Sequence, residues 1–203
     1  MSRAHPFPRL RWLALAWLAV YLPSYTLVYG VANFLFLCNI AVVLACIGLW
    51  RGSALLLSSQ ALSSLVVDGI WILDFASRLT LGRHLIGGTE YMLDRHLPLF
   101  TRMLSLYHVI LPILLLLCLR RTGYDRRGYA LQAAIGVLAV AAARLAGPEA
   151  NINYAFVDPL LKRSWQPAWL HLAIIAGALV GAIYPLTHAV LSRLYPSPDG
   201  RTG

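Results

Sequence analysis

Six apolar runs divide this chain, at residues 12–29, 31–50, 54–77, 98–119, 128–147 and 167–194. A hydrocarbon core about 30 Å thick needs about 20 apolar residues per helix, so runs of this length belong where lipid covers the exterior. Composition agrees. Of 203 residues, 59% are hydrophobic and 12% charged, with a mean hydropathy of +0.68, whereas soluble domains are about 45–50% apolar and about 25% charged. The expected fold is an all-α integral membrane protein: a bundle of six transmembrane helices in a single domain over residues 1–203, with two long outer loops. A cytosolic enzyme, a disordered tail and a small disulfide scaffold are excluded. Pro23 is placed to end the first helix midway, and a cleaved signal peptide would begin similarly. No small-residue cleavage site follows, so the run counts as a span.

With six spans both chain ends share a side. That side carries Arg3, Arg9, Arg11, Arg51, Arg120, Arg121, Arg126, Arg127, Arg193 and Arg201, against Arg78, Arg83, Arg95, Arg102, Arg144, Lys162 and Arg163 opposite. The excess places both termini in the cytoplasm, and the expected location is a bacterial cytoplasmic (inner) membrane. Orientation and anionic headgroups account for the net charge of +9. No stretch interleaves basic and aromatic residues on a polar face, so nucleic acid is not an expected partner. Membrane lipids, a lipidic small molecule and another membrane protein are. Cys38, Cys46 and Cys118 lie in apolar runs without a C-x-x-C pair, which leaves no redox or zinc motif. No metal or cofactor is expected.

Loops 79–97 and 148–166 exceed the usual connection of about 4–6 residues and hold Glu90, Tyr91, Asn151 and Asn153. Such loops read as functional or re-entrant. Ala173, Gly177 and Gly181 form a small-residue stripe on the sixth span, with Ala133 and Gly136 on the fifth. Close helix packing inside the bundle is the expected use of both.

An ionisable group in hydrocarbon costs about 2.5–3.5 kcal/mol even on the lenient insertion scale. Span parity puts Asn39, Asp68, Asp74, His108, Arg144 and His171 in one half of the bundle, with Asp68 about 13 Å and His108 about 15 Å from the outer surface. One polar pocket roofed by the two long loops is expected. Ordinary readings exist for several of these residues. Asp74 and Arg78 are spaced for a helical ion pair, Arg144 is placed to neutralise an aspartate, and His171 beside Trp165 and Trp169 suits an interfacial anchor. His188 reads as structural, His84 and His96 as solvated. Asp68 and His108 lie deep and lack an intrahelical partner of opposite sign.

A histidine facing a carboxylate can act as general base. Cys38 or a serine of the third span would be the nucleophile, with Asn39 or Asn33 donating to an oxyanion. The expected catalytic set is His108, Asp68, Cys38 and Asn39, with Asp74, Glu90, Tyr91, Arg144, Asn151, Asn153 and His171 on the substrate side. No G-x-S-x-G elbow is present. The stretches Asn33-Phe34-Leu35-Phe36-Leu37-Cys38-Asn39 and His108-Val109-Ile110-Leu111-Pro112 resemble the androgen-induced-protein family, six-span membrane hydrolases of fatty-acid esters of hydroxy fatty acids. The resemblance implies a nucleophile on the second span and a base on the fourth, which carries over to His108. Where that family has a threonine this stretch has no hydroxyl, and Cys38 is the nearest candidate, as in six-span acyltransferase relatives that use cysteine. The remainder, including Gly87-Gly88-Thr89-Glu90-Tyr91-Met92, resembles bacterial multi-pass membrane proteins without an assigned activity.

Two other classes compete with a lipid-ester or acyl hydrolase or transferase. One is a non-catalytic subunit of a membrane complex, its polar residues joining helices. The other is a proton-coupled transporter using Asp68 and His108 as a relay, although the sequence shows neither the repeat symmetry nor the paired broken helices common in transporters. A retinal protein is excluded, since Lys162 is the only lysine and lies in a loop. A metal-dependent hydrolase would want a histidine pair such as H-x-x-x-H, which is absent.

Overall fold

The structure, a computed structural model, describes residues 4–196 and is helical, with no strand among the described residues. Arg3 and Arg201, counted above toward the cytoplasmic side, lie outside those residues. Helix α1 (Leu10–Tyr29) runs unbroken through Pro23. Near the proline the hydroxyls of Ser24 and Thr26 bond the carbonyls of Val20 and Leu22, at 2.7 and 2.8 Å, the usual way a hydroxyl finds a partner on an apolar helix.

The second apolar run is divided. A 3₁₀ turn covers Val31–Leu35, Phe36 is extended (φ −60°, ψ 134°), and α2 occupies only Leu37–Arg51. A tight hairpin follows, with Gly52 left-handed at φ 64° and the Ser53 hydroxyl capping α3 (Ala54–Leu81) through the Leu56 amide at 3.3 Å. After the 82–98 connection come α4 (Leu99–Leu104) and α5 (Tyr107–Thr122), one apolar run interrupted at Ser105–Leu106. Pro112 lies inside α5 without ending it. Helix α6 (Gly128–Ala143) ends in a 3₁₀ turn, Arg144–Ala146. Across the 147–167 connection, α7 (Ala168–Ala178) and α8 (Tyr184–Leu194) are joined by a π-helical turn, Leu179–Ile183.

Among the described residues five helical stretches are long and apolar enough to cross a membrane: Leu10–Tyr29, Ala54–Leu81, Leu99–Thr122, Gly128–Ala146 and Ala168–Leu194. The expected second span is not one of them, because the extended Phe36 leaves α2 with 15 residues. The structure also supplies the helix interruptions that the sequence did not reveal.

Helix α3 is the axis of the bundle, packed on α2, α5, α6 and α8. The start of α6 presses directly on it: a Cβ on Gly128 would stand 2.9 Å from the Ser59 amide nitrogen. Gly136 faces the Tyr184 hydroxyl, 3.1 Å from where its Cβ would be. These two small residues do allow close packing. Gly177 and Gly181 do not, since nothing lies within 4 Å of either Cβ position. The stripe expected to pack inside the bundle faces outward on its most peripheral helix pair. Both long connections emerge at one end, where Lys162 Nζ donates to the Ile86 carbonyl at 2.7 Å. The opposite end carries the arginine-rich turn between α5 and α6.

Candidate functional site

Gln60, Ser64, Asp68 and Trp71 follow one another at intervals of four, four and three residues, so one face of α3 presents them in a column. All four are buried. The Ser64 hydroxyl donates to Asp68 Oδ2. The other carboxylate oxygen, Oδ1, has no hydrogen-bond partner and faces His108 Nε2 at 3.9 Å, about 1 Å beyond an N–H···O contact.

The break at Ser105–Leu106 is what presents His108. Freed from a helical ladder, the Ser105 carbonyl accepts both the His108 amide, at 3.1 Å, and His108 Nδ1, at 2.7 Å. A carbonyl can only accept, so Nδ1 carries the hydrogen. The ring is clamped on both faces. Trp71 stacks at 4.5 Å with 6° between the planes, and Tyr107 at 4.1 Å with 21°.

With Nδ1 committed, neutral His108 turns a bare lone pair toward Asp68. An ionised carboxylate opposite that lone pair would be repelled and would lack compensation for burial. The arrangement is therefore satisfied by one shared proton, held either as a carboxylic acid facing imidazole or as a carboxylate facing imidazolium.

Behind the pair lies a network of phenols. Tyr21 and Tyr107 donate to Asn39 Oδ1 at 2.7 and 2.6 Å, the Cys38 thiol approaches the same oxygen at 3.9 Å, and Asn39 Nδ2 donates to the Asn33 carbonyl at 2.6 Å. Tyr25 shares a hydrogen with Ser105 Oγ at 2.6 Å. Asn39 thus joins α1, α2 and α5. Trp71, Tyr107 and these phenols stand where the polar pocket is expected. Two clefts, of about 530 and 700 Å³, open at the arginine end instead, and neither is lined by Asp68 or His108.

The other sequence candidates are distributed as follows. Asp74 does not pair with Arg78. It gathers the 82–90 loop, accepting the amides of Ile86 (2.8 Å) and Gly87 (3.0 Å), the Thr89 hydroxyl and His84 Nδ1 (2.9 Å). Arg78 turns to the Gly82 carbonyl at the helix end. Arg144 neutralises neither aspartate; its guanidinium lies over Phe156 at 4.3 Å. Glu90 accepts the Gly88 amide at 2.6 Å. The Tyr91 hydroxyl accepts Trp71 Nε1 at 3.1 Å, and burial pushes that phenol above its usual range. Asn151 Oδ1 accepts the amides of Phe156 and Val157, both at 3.0 Å.

Asn153 replaces a missing piece of backbone. At the Phe36 break its Oδ1 accepts the Leu37 amide at 2.9 Å and its Nδ2 donates to the Leu35 carbonyl at 2.7 Å. His171, fully buried, bonds the Tyr154 carbonyl through Nε2 at 2.9 Å and receives the Trp165 amide at 3.4 Å. Asn151, Asn153 and His171 hold the second long loop together and onto the bundle.

Sequence reading missed Trp71, Tyr107 and the tyrosines of α1. The signals were present: Trp71 is a helical neighbour of Asp68, and Tyr21, Tyr25 and Tyr29 recur every four residues. Among the described residues no three His, Cys, Asp or Glu side chains converge as a metal site would require. No family model matches the chain, and neither a characterised protein nor a solved structure is detectably similar to it.

Proposed function

We propose that this chain is a membrane protein whose activity turns on the loading and release of a proton at Asp68–His108, the working part of a proton-coupled transporter. One observation carries the reading: His108 Nδ1 is committed to the Ser105 carbonyl, and the remaining nitrogen, Nε2, points at the Asp68 carboxyl 3.9 Å away rather than at a nucleophile. A general base for Cys38 or a serine would need a free nitrogen aimed at the nucleophile. The lipid-ester hydrolase implied by the family resemblance would therefore require the ring to leave its place between Trp71 and Tyr107. A proton-exchanging pair requires only that one proton come and go.

Helix interruptions support the same reading, since transporters build midplane sites from broken helices. His108 follows the break at Ser105–Leu106, and Asn39 follows the one at Phe36. The six-span bundle fits this proposal too. The 3₁₀ turn and α2 together reach about 30 Å, enough to cross in two pieces. On that count the arginine end faces the cytoplasm and the paired loops face outward from a bacterial inner membrane.

The test is proton movement in vesicles holding purified protein and a pH-sensitive dye, with infrared spectra of the same protein across the acid to alkaline range. The expected result is a flux above that of protein-free vesicles and a buried carboxyl band that titrates. Both disappear in Asp68→Asn, and the band shifts in His108→Gln. Wild-type protein with neither flux nor a titrating buried carboxyl would overturn the proposal and favour the subunit reading.

A further inference from the structure

Asp68 is buried midway along α3, and a group that exchanges protons needs a route to water. Toward the loop end the way is closed by stacked aromatics: Trp71 lies against His108 and bonds Tyr91. Toward the arginine end the composition changes. Ser58, Ser59, Gln60, Ser63 and Ser64 are all fully buried on α3, and Gln132 of α6 is fully buried opposite. Five polar side chains within about two turns of an intramembrane helix lie far outside what helix packing needs.

Their hydrogen bonds do not close. Gln60 Oε1, Ser63 Oγ, Gln132 Oε1 and Asp68 Oδ1 are each buried without a partner. Buried polar atoms are almost always satisfied, and those left over by the protein are where ordered water sits. Water needs a polar site with two to four partners. These four atoms are two amide oxygens, a hydroxyl and a carboxyl oxygen. On the arginine side Gln60 Nε2 donates to Ser59 Oγ at 2.8 Å, and neighbouring Ser58, on another face of α3, accepts the Asp125 amide at 2.9 Å in the turn that holds exposed Arg127. From Ser58 to Asp68 the rise along α3 is about 15 Å, a distance a short file of waters spans.

We propose that the Gln60–Ser64–Asp68 face of α3, with Ser63 and Gln132 beside it, binds a file of waters that conducts protons between Asp68 and the arginine end. The proposal rests on Asp68 being the proton-exchanging group. Each step breaks one O–H bond on a donor oxygen as one forms on the next. Water and serine oxygens do both, and the glutamine amides anchor the file without transferring. The net result is one proton leaving the Asp68 carboxyl and one hydronium appearing in solution at the arginine end. The direction is specific: the loop end is sealed by Trp71 while the pair is in this arrangement.

Gln60→Leu and Gln132→Leu keep side-chain size and remove the anchors. In the vesicle assay either substitution is expected to slow proton flux about tenfold, as loss of a hydrogen-bonded step raises the barrier, while the Asp68 carboxyl band persists and still titrates. Flux at wild-type rate in both variants would overturn the water file and leave the Asp68–His108 proposal standing. Absence of flux and of a titrating band in the wild type would remove both together. Should a variant fail to fold, the wild type decides: O–H stretching bands that shift in heavy-oxygen water when Asp68 changes protonation support the file, and their absence overturns it.

Discussion

Asn153 is a side chain doing the work of a peptide group. Between Leu35 and Leu37 the helix ladder is interrupted, and the amide of residue 153 bonds both sides of the gap. Asn153→Ala strands a buried N–H and C=O, each worth about 1–3 kcal/mol when left unpaired. Denaturant unfolding in detergent is expected to show a loss in that range, and the loop amides of 148–166 to exchange faster. An unchanged midpoint would mean that the loop is held elsewhere. At the surface, the hydrogen-bonded Arg127 guanidinium holds the Asp125 carboxyl below its usual range. A depressed folded pKa contributes stability above about pH 4, the unfolded value, and loses it as pH falls through the folded one. Because Arg127 is exposed, the effect is small. Melting curves of wild type and Asp125→Asn should separate slightly near neutrality and converge in acid; a gap widening toward acid would contradict the sign.

At the scale of helices, the apolar runs announce five of the spanning stretches plainly, and depth along them already places Asp68 beside His108. What sequence could not show is where the ladder breaks. Pro23, the residue expected to end its helix midway, sits inside an intact one, as does Pro112. The breaks fall at Phe36 and at Ser105–Leu106, where neither glycine nor proline marks them and where partners remote in sequence meet them, residue 153 for one and the Tyr25 hydroxyl for the other. Arg78 and Arg144 were legible only as charges near aspartates; the folded-back 82–90 loop satisfies Asp74 through backbone amides and leaves both arginines other employment. Glycine meaning is also set by packing. Gly128→Ala forces a methyl against the Ser59 backbone and is expected to cost about 1–3 kcal/mol, whereas Gly177→Ala meets nothing and should be close to neutral. Paired unfolding curves check the contrast; equal effects would mean that the α3–α6 contact yields.

For the molecule as a whole, burial is uneven. Helix α3 holds twelve buried residues between Leu57 and Ser77, while the α7 to α8 stretch is covered over only 11% of its most apolar window. The outermost helix pair is therefore expected to loosen first. In hydrogen exchange, amides of 168–194 should open before those of 57–77, and the reverse order would show that the bundle does not cohere around α3. The π turn at Leu179–Ile183 adds something to this. A π turn accommodates one residue more than an α-helix of the same span needs, so the polypeptide carries one unit of slack there. Loss of a single codon inside a membrane helix ordinarily rotates everything beyond it by about 100°. Removed from this turn, one residue would let the coil tighten into continuous α-helix with Tyr184 and Leu191 still facing inward. A one-residue deletion within this turn is thus expected to be tolerated.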